Sequence, residues 1–209
     1  MKVNSRNITG AILILALTYS QITVADWQLS IEECGIWNDN TFAEETVSWS
    51  GSCVNGKASG YGISIWTWKA EDDERLSDRY EGLMIKGRKQ GKGFYQYANG
   101  NRYIGDFRNG FKHGNGVFYF FASGNTYEGQ FDSGDRHGVG KFLFAKSGNL
   151  YIGQFKYDQK NGTGAFQWAD GTRFSGSYSG DLAVMGECHF NDGRKTSCNQ
   201  NPDSSWFIK

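Results

Sequence analysis

A Tyr or Phe followed two positions later by Gly recurs at an almost constant step, at Tyr80, Tyr103, Tyr127, Tyr151 and Phe174, with spacings of 23, 24, 24 and 23 residues. Self-similarity at one short period means a stack of supersecondary units, each burying its apolar face against the next. From Tyr103 the unit runs through Gly105, Phe107, Gly110, Gly114 and Gly116, and the next repeats it with Tyr127, Gly129, Phe131, Gly134, Gly138 and Gly140. Tyr80, Gly82, Met84, Gly87, Gly91 and Gly93 keep the same offsets. Upstream, Trp49, Gly51, Cys53, Gly56, Gly60 and Gly62 keep them too, with Trp in place of Tyr and Cys in place of Phe. Asp158 stands where the fifth unit should have Gly, and the sixth slips by one residue at Gly186 and Cys188. Irregular end units are what the caps of a stacked array require.

The spacing within a unit predicts strands. Residues two apart share one face of a strand, which groups Tyr103, Gly105 and Phe107, and on the partner strand Gly114, Gly116, Phe118 and Phe120. Gly is unfavourable inside a strand unless something approaches closely, and an aromatic ring from a neighbouring hairpin is the expected visitor. The 29 Gly residues and the 15 Phe with 11 Tyr thus form two halves of one packing scheme. Asn99-Gly100, Ser123-Gly124, Ser147-Gly148, Asp170-Gly171 and Asp192-Gly193 punctuate the units, and each pair can supply the positive φ of a tight hairpin. The single Pro of the chain suits continuous sheet pairing.

The pattern Y-x-G-x-F-x-x-G-x-x-x-G-x-G resembles the membrane occupation and recognition nexus (MORN) repeat, over residues 47–195. The resemblance implies an all-β fold: an elongated, curved or twisted single-layer antiparallel sheet of about six successive β-hairpins, serving as a scaffold or binding surface. Six hairpins would make a sheet on the order of 55 Å long. The W-S-G-x-C-x-x-G opening at Trp49 resembles bacterial members, which implies an envelope protein.

Lys2 and Arg6 precede an apolar run from Ile8 to Leu17, followed by Thr23-Val24-Ala25, the pattern of a signal peptide over 1–25 cleaved after Ala25. Export to a periplasm or the medium favours disulfides. By proximity Cys34 joins Cys53 and Cys188 joins Cys198, one staple at each end of the array. Residues 26–46 then form an N-terminal cap and 196–209 a C-terminal cap, in which Asn201-Pro202-Asp203 starts a turn or a brief helix.

Lys and Arg together number 22, as do Asp and Glu, which leaves no electrostatic drive toward nucleic acid. Basic residues do gather between Lys86 and Lys112, where only Asp106 opposes them, and anionic lipid is the partner such a patch would take. His113 and His137 fill a turn position that Gln90 and Asn161 share, so they suggest no metal site, and no cofactor is expected. Nucleophile elbows, zinc-protease motifs and phosphate loops are missing, so the expected role is not enzymatic. Eight residues inserted within 69–79, including Glu71, Asp72, Asp73 and Glu74, are expected as a solvated loop that decorates a binding face. Trp66 and Trp68 share a strand face, with Trp49 nearby, and form the candidate ligand face for an envelope glycan. The repeat ladder itself is assigned to Tyr80, Tyr103, Phe107, Tyr127, Phe131, Tyr151, Phe155 and Phe174. A protein partner on a concave aromatic face or the repeat tips is the expected function, with membrane phospholipid or glycan as the alternative. Terminal strands also leave edges that can pair with a second copy.

Overall fold

The computed structural model describes residues 26–29, 34–38, 44–200 and 206–208. The apolar segment at Ile8–Leu17 and the expected turn at Asn201–Asp203 lie outside them. Among the described residues every regular element is a strand.

The chain is a meander. A 13-residue strand, β5 (Lys57–Lys69), pairs with β6 (Arg75–Ile85), and each following strand pairs antiparallel with its predecessor: β7 (Arg88–Gln96), β8 (Arg102–Arg108), β9 (Phe111–Tyr119), β10 (Thr126–Asp132), β11 (Asp135–Phe144), β12 (Asn149–Lys156), β13 (Gln159–Gln167), β14 (Arg173–Ser179) and β15 (Leu182–His189). The expected C-terminal cap continues this sheet as β16 (Lys195–Gln200) and β17 (Trp206–Ile208). At the other end β3 (Thr46–Trp49) and β4 (Ser52–Val54) lie along the two halves of β5. Before them β1 (Asp26–Leu29) pairs with β2 (Gly35–Asn38). β2 runs across the hairpin tips rather than along a strand: Gly35 N donates to Gly56 O and Trp37 N to Gly87 O.

Three features of the sheet differ from the sequence reading. The rings do not visit from a neighbouring hairpin. Tyr103 lies over the glycine pair of its own hairpin, Gly105 and its cross-strand partner Gly116, where an added Cβ would meet the Tyr103 ring or hydroxyl at 2.4 Å. Tyr80, Tyr127 and Tyr151 treat Gly82/Gly93, Gly129/Gly140 and Gly153/Gly164 in the same way. Contact between hairpins comes from the ring four positions later. Phe107 stands edge-on to Tyr80 and Tyr103, Phe131 to Tyr103 and Tyr127, and Phe155 to Tyr127 and Tyr151, with centroids 5.0–5.2 Å apart. A continuous zigzag results, and all four tyrosines are fully buried although the sheet has one layer.

Tight turns also fall elsewhere. Paired positive φ values occur at Asn55-Gly56, Lys86-Gly87, Asn109-Gly110, Ser133-Gly134, Tyr157-Asp158 and Gly180-Asp181, the signature of two-residue type I′ hairpins. In the pairs expected to turn, only the Gly has positive φ, within longer connections such as Tyr97–Asn101. Gly91, Gly114, Gly138 and Gly162 are bulge residues with φ of 58–95°, not members of the aromatic row. At each bulge the register shifts, and the tyrosine hydroxyl donates to a carbonyl there: Tyr80 to Leu83, Tyr103 to Asp106, Tyr127 to Gln130 and Tyr151 to Gln154, at 2.8–2.9 Å. This is why the slot holds Tyr rather than Phe.

The insertion is the third difference. Only five residues, 70–74, form the connection, closed by Ala70 N to Glu74 O, while residues 75–79 extend β6 against β5 with Trp68 opposite Leu76 and Trp66 opposite Asp78. The eight added residues lengthen a hairpin instead of forming a free loop.

Two disulfides join Cys34 to Cys53 and Cys188 to Cys198. Cys53 takes the slot that Phe107 fills in its unit, and Cys188 pairs with Phe174 as Phe118 pairs with Tyr103. Crosslinks replace rings where no further unit is available to pack. Each is worth about 3 kcal/mol through restriction of the unfolded chain.

Candidate functional site

The strand pleat divides the sheet into two unlike faces. On one, beside the buried zigzag, runs a second aromatic row, Tyr95, Tyr97, Phe118, Phe120, Phe142, Phe144, Phe166 and Trp168, in which Phe118 and Phe142 are buried and the others partly covered, with neighbouring centroids 4.5–5.8 Å apart. Between the two rows one cation per unit lies over the rings, always nine residues after the leading Tyr. Lys89 Nζ sits over Trp66 and Tyr95, Lys112 over Phe118 and Phe131, Arg136 over Phe142 and Phe155, and Lys160 over Phe166 and Tyr178. Burial pushes the Lys112 and Lys160 ammonium groups below the usual lysine range. The sequence reading missed this row. The recurrence of Lys or Arg at one offset was the signal that could have revealed it.

Two of these cations have a carboxylate from the turn of the following unit. Asp158 accepts from the Arg136 amide at 3.0 Å and its Nε at 2.8 Å; burial pushes this carboxyl up, but the Arg136 hydrogen bonds outweigh that and hold it below the usual range. Asp181 accepts from the Lys160 amide at 3.0 Å and lies 4.0 Å from Nζ. The matching turn positions above Lys89 and Lys112 are Gly110 and Gly134, which carry no side chain.

Beside Gly110 and Gly134 a hollow of about 550 Å³ opens, lined by Trp66, Trp68, Tyr95, Tyr97, Phe111, Lys89 and Lys112. The lengthened hairpin supplies its Trp66, Trp68, Leu76 and Asp78 wall. Asp78 accepts from Tyr95 Oη at 2.6 Å and from Ala98 N at 2.8 Å, and burial followed by this carboxylate pushes the Tyr95 hydroxyl well up. Asn101, Asn125 and Asn149 repeat the second of these bonds, each holding the connection of the next unit through a backbone amide.

The structure separates the three candidate tryptophans. Trp66 and Trp68 lie on the hollow, Trp66 being 3 % exposed. Trp49 shares that face but lies off the hollow: its ring fills the tyrosine slot over Gly51 and Gly62, and Nε1 donates to Ser52 O at 3.0 Å. The zigzag assigned to Tyr80, Tyr103, Phe107, Tyr127, Phe131, Tyr151, Phe155 and Phe174 is core, with no open ring face.

Opposite the tyrosines the sheet is open. Phe94, Ile104 and Val117 pair across successive strands, and Ile152 pairs with Lys141 further along the same row. With Val139 they line a hollow of about 1250 Å³. Ile104 is 61 % exposed and Val139 56 %.

The MORN repeat model matches residues 49–69, 80–102, 103–125, 127–148 and 151–173, more than half of the chain. The chain belongs to the MORN repeat family, whose repeats are non-enzymatic and generally serve as interaction modules. No curated protein matches the sequence significantly. Solved structures similar to it include the TCP domain of SAS-4 (dCPAP) of Drosophila melanogaster, in complex with a proline-rich motif of Ana2 (dSTIL), at TM-score 0.39 and 14 % identity over 68 % of this chain and 87 % of that one. The G-box domain of the microcephaly protein CPAP aligns at TM-score 0.24 and 14 % identity, over 73 % of this chain and 98 % of that one. At such scores the likeness carries no argument about function.

Proposed function

We propose that the chain is an exported, non-enzymatic interaction module of a bacterial envelope, which holds a protein partner on the face opposite its tyrosines. The observation that carries this reading is the exposed aliphatic row around Ile104, Val139 and Ile152 on a hollow of about 1250 Å³. Soluble monomers seldom leave an apolar run such as Phe94-Ile104-Val117 uncovered, and the Glu128–Lys141 pair that separates it from Ile152 supplies the charges a protein interface also uses. Export is supported by the signal-peptide pattern before Ala25 and by the two disulfides, which persist in oxidising compartments. This moves the proposed partner from the aromatic face, which the protein fills largely with its own rings, to the opposite one.

The test is affinity capture from envelope and culture fluid with residues 26–209 as bait, beside the variant Ile104→Glu/Ile152→Glu. Both side chains are already exposed, so the variant should fold normally. A partner held by the wild type and lost by the variant supports the reading; equal recovery, or background alone, counts against it.

A further inference from the structure

The hollow at Lys112 lies on the other face, and the inference drawn from it is independent of the protein-partner reading. Within this one chain the same cation slot occurs in two states. In the later units Arg136 and Lys160 receive a carboxylate from Asp158 and Asp181. Lys112 has the rings of Phe118 and Phe131 beneath it, Gly134 in the turn above it, and no carboxylate within ion-pair distance among the described residues. Asp135 and Asp158 reach it only through space. A half-buried ammonium that has lost hydration without gaining a counterion binds an anion more strongly than an exposed one does.

The surroundings of this cation are not those of a simple polyanion site. Trp66, Trp68, Tyr95 and Tyr97 line the hollow, with Lys89 Nζ over the rings of Trp66 and Tyr95, and Asp78 and Glu45 stand at it as hydrogen-bond acceptors. The indole N–H of Trp66, on the same wall, is buried and has no acceptor among the described residues. An aromatic lining suits the C–H groups of a pyranose, acceptor oxygens suit its hydroxyls, and Lys112, the cation at the hollow that is not seated over Trp66 and Tyr95, suits its carboxylate. A volume of about 550 Å³ is of the size that holds a small ligand. An acidic peptide is a poorer match. The hollow lies on a sheet face between strands already paired on both sides, so a peptide backbone finds no edge to join.

We infer that the hollow between the lengthened β5–β6 hairpin and Lys112 binds a uronic acid residue of an acidic polysaccharide, whose carboxylate occupies the place that Asp158 takes beside Arg136. The inference also gives the insertion a purpose, since residues 75–79 build the Leu76 and Asp78 side of the site.

The probe is a galacturonic acid trimer, titrated into the mature chain with tryptophan fluorescence and calorimetry as readouts. Its methyl ester and polyglutamate serve as comparisons. Saturable binding of the trimer is expected, at least tenfold weaker for the ester, with polyglutamate failing to compete. Lys112→Met should weaken binding about tenfold or more, as loss of a charge-assisted hydrogen bond does. Gly134→Asp should abolish it by supplying the carboxylate internally; should that substitution disturb the turn, Lys112→Met still decides the matter. No saturable binding, an ester that binds equally well, effective competition by polyglutamate, or an unaffected Lys112→Met variant would each overturn the inference.

Discussion

The middle of the array and its two ends solve one packing problem with different residues. In the units led by Tyr103 and Tyr127, a phenol lies over two glycines and its hydroxyl closes the carbonyl beside the bulge. At the first unit Trp49 lies over Gly51 and Gly62 and donates from its indole instead. At the last Phe174 covers Gly176 and Gly186 with no hydroxyl, while Ser177 Oγ donates to Met185 O nearby. What is constant is the vacancy and a flat ring to fill it; the polar tip and the outer neighbour vary. Where the neighbour is lacking, a disulfide stands in its slot.

That contrast can be broken most forcefully at the vacancy. Gly116→Val places its Cβ 2.4 Å from the Tyr103 ring, which has no room to retreat. It should cost about 3 kcal/mol or more, read as a large fall in Tm, whereas Gly124→Ala, in a connection, should cost about 1 kcal/mol through its positive φ. Equal effects at the two sites would remove the special standing of the glycine pairs. Cys188→Ser/Cys198→Ser should cost about 3 kcal/mol, with faster hydrogen exchange confined to the end of the sheet; loss of protection around Tyr103 would contradict a local staple.

Alkali should act through the buried tyrosines. Burial pushes the Tyr127 hydroxyl up to about 12, against about 10 for an exposed tyrosine. A folded-state pKa above the unfolded one means that stability is complete below pH about 10 and is lost as pH rises through about 12. Tyr127→Phe should therefore flatten the pH dependence of Tm above pH about 10, and an unchanged slope would exclude this tyrosine as its source. Smallest is Tyr103→Phe at neutral pH. It leaves the Asp106 carbonyl without its donor at a cost of about 1 kcal/mol, and a neutral effect would show that water replaces the hydroxyl.

The period, the hairpins and the aromatic–glycine scheme were legible because each rests on spacing along one strand. The two-residue turns were not. Lys86-Gly87 and Ser133-Gly134 look less like turn pairs than Asn99-Gly100 does, and their geometry follows from the bulge that shifts the register beside them. The same limit hid what each cation faces. Lys112 and Gly134 are 22 positions apart, and only the stacking of one hairpin on the next shows that a turn residue in one unit faces a side chain in the unit before. Asp158 was noticed as a departure from the repeat; its partner Arg136 became visible only once the strands were aligned.

Phe131 meets the hairpin before its own, at Tyr103, and one unit later Phe155 meets the hairpin before its own, at Tyr127. Excising or duplicating one complete 24-residue segment therefore rejoins like surface to like. Copy number can drift in a lineage without redesign of any junction, and the reach of the ribbon is open to selection separately from its chemistry.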